Sequence, residues 1–136
     1  MATFTKINSF VEFLAEKRIN LGSDQLVIAL TNTAHTSTWD ELADLTQVAY
    51  TNLSSRNITT TSSAQTAGTY KLTLTDLVLT SSGGTTGPFQ YIYVYDDTAT
   101  NDDLIAYYDY GSAITLQDGD TFTINFDDSN GFLTIA

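Results

Sequence analysis

The residues with most chemistry to offer are carboxylates. The run Asp96-Asp97-Thr98-Ala99-Thr100-Asn101-Asp102-Asp103 presents hard oxygen donors of the kind that hold Ca²⁺, an ion that takes about six to eight of them. It lacks the alternate acidic positions, central Gly and distal Glu of a calcium loop, so its Asp and Asn side chains read as turn formers that bond their own backbone. Asp118-Gly119-Asp120 and Asp127-Asp128 read the same way. Glycoside hydrolysis needs one carboxyl as acid and another as base or nucleophile, roughly 5 to 9.5 Å apart. Asp pairs are so numerous here that proximity singles out none, and turn positions offer no apolar pocket to retune them. Serine chemistry has no Gly-x-Ser-x-Gly elbow to work from, and His35 stands in a Thr-rich loop without a visible base or orienting partner, as a surface residue would. Gly83-Gly84 lacks the Gly-x-x-x-x-Gly-Lys pattern of a phosphate cradle. With no cysteine and a single histidine there is no thiolate site, no disulfide and no His-rich zinc centre. The expectation is a protein that is not an enzyme, with no catalytic residue, cofactor or metal assigned.

Aromatic side chains carry more information. In Gln90-Tyr91-Ile92-Tyr93-Val94-Tyr95 a period of two places Tyr91, Tyr93 and Tyr95 on one strand face and Ile92 with Val94 on the other. Such a stripe is either a contact surface, for a sugar or another protein, or one half of a cross-strand packing layer with Tyr107, Tyr108 and Tyr110. Packing is the preferred reading for most of these residues. Trp39, Tyr91, Tyr93 and Tyr95 are the candidates for exposed aromatic contacts.

The charge is unevenly placed along the chain. Its formal value is -11, yet all five basic residues, Lys6, Lys17, Arg18, Arg56 and Lys71, fall within the first 71 positions, where six acidic residues nearly balance them. From Leu72 onward there are ten Asp and no Lys or Arg. Such a surface repels phosphate backbones and anionic lipid, which excludes direct nucleic-acid and membrane binding and leaves protein partners, neutral ligands or cations. No stretch approaches 18 apolar residues, and the first residues lack the pattern of a signal peptide, so the expectation is a soluble chain made without one.

These side chains must be positioned by one domain spanning residues 1–136, a size that suits a single core. Residues 6–20 have apolar positions at helical spacing, with Ser9 three residues before Glu12 as a capping box and Asn20 with Gly22 as a stop. Within 25–50 the run Gln25 to Thr31 suits a strand buried on both faces, and Ser37 or Thr38 could cap a short helical turn over Asp40 to Leu45. Residues 51–68, rich in Thr and Ser, are a loop, an edge strand or an ordered arm. Residues 69–136 read as an antiparallel β region. Thr69 to Leu79 shifts its apolar phase at Asp76, through a bulge or a new strand, and Ser81 to Pro88 is a loop. Strands follow at 89–95, 104–110, 113–116, 121–126 and 132–135, the last two joined through the Asn130-Gly131 hairpin signal. Together they predict a mainly β protein, an antiparallel β-sandwich or jelly-roll-like single domain with an N-terminal α-helix.

Four groups of residues then bear a family likeness: Ala29-Leu30-Thr31-Asn32-Thr33; Asp44-Leu45-Thr46 with Ala49-Tyr50-Thr51; Ser82-Gly83-Gly84-Thr85-x-Gly87-Pro88-Phe89-x-Tyr91; and Tyr107 through Thr123. In this combination, spanning nearly the whole chain, the sequence resembles small structural proteins of tailed-bacteriophage and prophage virions, of the head decoration or cement type. The resemblance implies a protein made in the host cytoplasm that binds the major capsid protein lattice at the virion surface, commonly as a homotrimer, and stabilises the head. Lys6, Lys17, Arg18 and Arg56 are then the candidates for capsid-facing contacts, with the Asp-rich loops 96–103 and 127–130 turned outward. The rival readings are a tail or neck component and, in a different class, a non-catalytic carbohydrate-binding β-sandwich module that uses the tyrosine stripe.

Overall fold

The computed structural model describes residues 2–136. The chain runs β1 (Thr3–Lys6), α1 (Phe10–Ala15), β2 (Leu26–Thr31), a 3-10 turn (Leu42–Asp44), β3 (Asn57–Ile58), β4 (Thr60–Thr66), β5 (Thr69–Leu74), β6 (Leu77–Thr80), β7 (Thr86–Asp96), β8 (Leu104–Leu116), β9 (Thr121–Ile124) and β10 (Leu133–Ile135). The protein is mainly β, its sheets are antiparallel and its helix is short. A five-stranded sheet has the order β1-β8-β7-β2-β3, a three-stranded sheet β10-β5-β4, and a two-stranded ribbon β6-β9.

Register decides which side chains share a face of the large sheet, because residues directly opposite in an antiparallel pair point the same way. Leu30, Ile92, Tyr108 and Phe4 form one row and Ile28, Val94, Ala106 and Lys6 the next, all on the first face. That face meets the smaller sheets: the Tyr108 ring lies 6.4 Å from Phe126 and 6.3 Å from Phe132, and Phe89 meets Phe122 edge-on at 5.7 Å. The second face carries Ala29, Tyr93, Tyr107 and Thr5, then Thr31, Tyr91, Asp109 and Thr3. It is covered by the irregular chain between β2 and β3. Tyr50 Oη accepts from Leu30 N at 2.9 Å, Thr31 Oγ1 donates to the Thr46 carbonyl at 2.6 Å, and His35 stacks on Tyr107 at 4.5 Å. With both faces covered, every residue of β2 is buried, as its continuous apolar run predicts.

Several local expectations need correction. The helix expected over 6–20 is a strand followed by six helical residues. Thr3-Phe4-Thr5-Lys6 pairs with β8 instead, where Phe4 sits edge-on to Tyr108 at 5.6 Å. Ser9 does not cap: its hydroxyl is bonded to Asp40 Oδ2 at 3.4 Å. The helix stops before Asn20, at Lys17 with φ 67°, where Lys17 N bonds the Leu14 carbonyl and Arg18 N the Phe13 carbonyl in a Schellman-type end. The 3-10 turn is opened not by Ser37 or Thr38 but by the Asp44 carboxylate, which accepts from Asp40 N at 3.0 Å and Glu41 N at 3.1 Å.

The segment 51–68 contains β3 and an edge strand, β4, one of the alternatives its composition left open. The phase shift at Asp76 marks a new strand, β6, and the Asp76 carboxylate accepts from Phe126 N at 2.9 Å. The loop expected to Pro88 ends earlier, since Thr86 already pairs with Leu116. The strands expected at 104–110 and 113–116 are one, β8, with an outward bulge: Tyr91 opposes Asp109 while Phe89 opposes Ile114, and Gly111 takes φ 86° between them. The Asn130-Gly131 segment does not join paired strands. β9 pairs with β6 and β10 with β5, and the loop is closed on itself by Gly131 N to the Asp127 carbonyl at 2.7 Å.

Candidate functional site

The ends of the sequence meet at an apolar cleft of about 720 Å³. Phe4 and Lys6 of β1 form one wall, Phe10, Val11, Leu14 and Ala15 of α1 a second, and residues 130–135 the third. Phe4 and Phe132 join the walls edge-on at 5.4 Å. Three large apolar side chains remain open to solvent here, Phe4 at 40%, Val11 at 55% and Ile135 at 39%. Concentrated exposure of this kind marks a contact surface, whereas isolated exposed apolar residues need no explanation. β1 and β10 are also the outermost strands of their sheets, so backbone N–H and C=O groups lie unpaired beside the cleft. The arrangement offers shape, apolar surface and strand-edge hydrogen bonds. It gathers no acid-base or nucleophilic set.

Of these residues Lys6 is the one that the sequence nominates as a capsid-facing contact. Thr3-Phe4-Thr5-Lys6 alternates with the period of a strand, but over four residues the signal is overshadowed by the helical spacing that follows. Val11 falls at an apolar position of that spacing, and its exposure depends on what packs against it rather than on local pattern.

The four proposed capsid-facing cations do not form one patch. Lys6 lines the apolar cleft and Lys17 a neighbouring one. Arg18 turns away to Asp103, with Nε to Oδ2 at 3.0 Å, Nη2 to Oδ1 at 2.5 Å and Glu41 Oε1 at 3.7 Å. Its guanidinium also lies 3.9 Å over the Phe13 ring, and its pKa is raised first by the Asp103 hydrogen bond. Arg56 stands by β3, four strand intervals from β1 and so about 19 Å away. There Nη1 donates to the Ile28 carbonyl at 2.6 Å and the guanidinium covers the Tyr50 ring at 3.8 Å. Nor are the Asp-rich loops segregated from the cations. Asn130 lines the same cleft as Lys6, and the 96–103 loop supplies the carboxylate that holds Arg18.

The tyrosine stripe is present as read, on one face, but Tyr93 and Tyr95 are buried and therefore are not exposed contacts. The chain 32–50 covers them, and Tyr93 stacks on Tyr107 at 5.1 Å. Tyr91 and Trp39 are half-buried, Trp39 set edge-on to His35 at 5.7 Å. His35 itself is no free surface residue. Its Nδ1 lies 2.7 Å from Tyr93 Oη, and burial holds its pKa below the usual imidazole value. Burial pushes the Tyr93 phenol the other way, so the phenol keeps its proton beside Nδ1. A phenol in this position leaves His35 without the carboxylate that would orient it as a catalytic base.

The Asp turns behave as their composition predicts. Asp109 Oδ1 accepts from Gly111 N at 2.8 Å, Asp120 Oδ2 from Gln117 N at 2.8 Å, and Asp127 Oδ1 from Asn130 N at 3.1 Å. Among the described residues no helix is long and apolar enough to cross a membrane. Comparison with family models, curated proteins and solved structures finds no match to this chain.

Proposed function

We propose that this is a non-catalytic structural protein of a tailed-bacteriophage virion, a decoration or cement protein that docks on the major capsid protein lattice and stabilises the head. One observation carries the docking part: the cleft where Phe4, Val11 and Ile135 stand open beside the free edges of β1 and β10. A surface of this kind is satisfied by another protein, and a repeated lattice multiplies a modest single contact through avidity. The virion part rests on the motif resemblance carried by residues 29–33, 44–51, 82–91 and 107–123. The net charge of -11 suits an outer surface, where like charge limits adhesion between particles. Three-fold positions of a shell would be occupied by a homotrimer of this chain.

A tail or neck position uses the same cleft with a different partner. A sugar-stacking platform has less support, because burial of Tyr93 and Tyr95 leaves only Tyr91 and Trp39 partly open. Cryo-electron microscopy of purified particles, with quantitative mass spectrometry, is the test. On the order of hundreds of copies per particle, bound over the shell through the Phe4-Val11-Ile135 face, is the expected result. Absence from the shell overturns the decoration reading, and a few copies at the portal or tail would establish the alternative.

A further inference from the structure

The apolar cleft does not end at β10. It shares Leu14 and Ile135 with a second cleft of about 370 Å³, which continues past Lys17 and Leu21 to Ser63 of β4 and Tyr70 of β5. Ile135 and Tyr70 are opposite one another in the β10–β5 ladder and so point to the same face. The two clefts therefore form one groove that passes the edge strand β10.

The charge of this groove departs from that of the rest of the chain. Acidic residues outnumber Lys and Arg by 16 to 5, yet no Asp or Glu lines either cleft, and one lysine stands in each. The other three cations are committed: Arg18 to Asp103, Arg56 to the Ile28 carbonyl, and Lys71 to the Ser129 carbonyl at 3.3 Å. Lys6 and Lys17 are exposed and form no ion pair among the described residues, and Lys6 Nζ reaches the carbonyl of its neighbour Ile7 at 3.5 Å, the limit of a hydrogen bond. An acidic partner is thus repelled by most of this surface and admitted here.

The free backbone edge decides what conformation fits. Ile135 lines both clefts, so whatever spans the groove passes beside β10, the outermost strand of its sheet. An acyl chain would fill the apolar volume but leave the unpaired N–H and C=O groups unsatisfied. An extended peptide pairs with them as an added strand and sets alternate side chains into the groove. Resting on the docking reading above, the geometry points to the partner's chemistry: an extended segment with apolar side chains at alternate positions and an Asp or Glu toward each end, one for Lys6 and one for Lys17, added beside β10.

The test is selection from a displayed random-peptide library on the immobilised full chain, repeated with Lys6→Glu/Lys17→Glu, Lys6→Arg/Lys17→Arg and Val11→Asp. Wild type is expected to enrich peptides in which acidic residues flank alternating apolar ones. Recovery should fall at least about tenfold on the Glu and Val11→Asp variants and persist on the Arg variant. A selected peptide should slow hydrogen exchange at Leu133–Ile135. Enriched sequences without acids, equal recovery on the Glu variant, no enrichment over Val11→Asp, or unprotected β10 amides each overturn the inference. Self-association in sedimentation that Val11→Asp abolishes overturns it as well, by making a second copy the occupant. Peptide selection as expected, from a chain found absent from virion shells, supports this inference and sinks the decoration reading alone.

Discussion

Arg18 and Asp103, 85 residues apart in sequence, form a two-pronged ion pair in which the carboxylate is 2% exposed and the guanidinium 35%. The pair fastens the end of α1 to the start of β8. Replacing Arg18 with Met keeps most of the packing on Phe13 but strands a buried carboxylate. A loss of about 2 kcal/mol is expected in urea denaturation, discounted from a fully buried pair because Arg18 is partly solvated. Adding Asp103→Asn to that variant should restore part of the loss, a coupling that a double-mutant cycle measures directly.

His35 makes stability sensitive to mild acid. Its folded pKa is depressed by burial, so between the unfolded value near 6.5 and the lower folded one the unfolded chain binds more protons. Stability therefore falls as pH drops below about 6.5 and levels off beneath the folded pKa. Melting curves from pH 7.5 to 5 should show the His35 share of this decline as the difference between wild type and His35→Phe, with Asp96, whose carboxyl is pushed up to about 8 by burial, contributing in the opposite sense to both. Asp109, held low by Gln90, and Asp127, held low by Asn130, contribute stability lost only at more acidic pH.

The four sequence-nominated cations should separate into two classes. Lys6→Ala and Lys17→Ala remove exposed side chains and are expected to change stability by less than about 0.5 kcal/mol. Arg56→Ala removes the bond to the Ile28 carbonyl and the cover over Tyr50, for a loss of about 1 to 2 kcal/mol by chemical denaturation. Equal losses for Lys6 and Arg56 would contradict this division.

Charge placed in the apolar cleft should separate docking from folding. Val11→Asp and Ile135→Asp alter exposed positions, so circular dichroism and melting should stay near wild type. Binding to particles that lack the native protein, read by co-sedimentation, should fall at least about tenfold, since a desolvated carboxylate costs more than the roughly 1.4 kcal/mol this represents.

Gly87 should be intolerant of a side chain. It has φ 119°, and a Cβ there would lie 2.7 Å from the Ile114 carbonyl oxygen. Gly87→Ala is expected to destabilise by about 2 kcal/mol or more, visible as a lowered melting temperature. By contrast Gly111→Ala, at φ 86° with open space around it, should cost less.

What the sequence discloses here follows from the range of the forces involved. The buried run of β2, the two faces of β7 and the break at Asp76 were legible, because a period of two and a phase shift are local patterns. Strand β1 was not, since the helical spacing that begins at Ile7 drew the boundary back to Lys6, while distant β8 captures Thr3–Lys6. The hairpin signal at Asn130-Gly131 fits a tight turn and indeed forms one, but pairing beyond it depends on β5 and β6 offering better partners. The same limit hid the cleft. Its walls come from positions 4–15 and 130–135, and no local pattern states that they touch. Charge misled for a related reason: a sequence split into balanced and acidic halves is interleaved in space once β1 joins β8 and Arg18 joins Asp103.

Phe4 and Ile135 line one opening, so a bulky label placed beside either residue would crowd the cleft and mimic loss of binding without altering a contact residue. The exposed Ala67-Gly68 turn between β4 and β5, with nothing within 4 Å of a side chain built at Gly68, is the better insertion point for a reporter in any assembly assay.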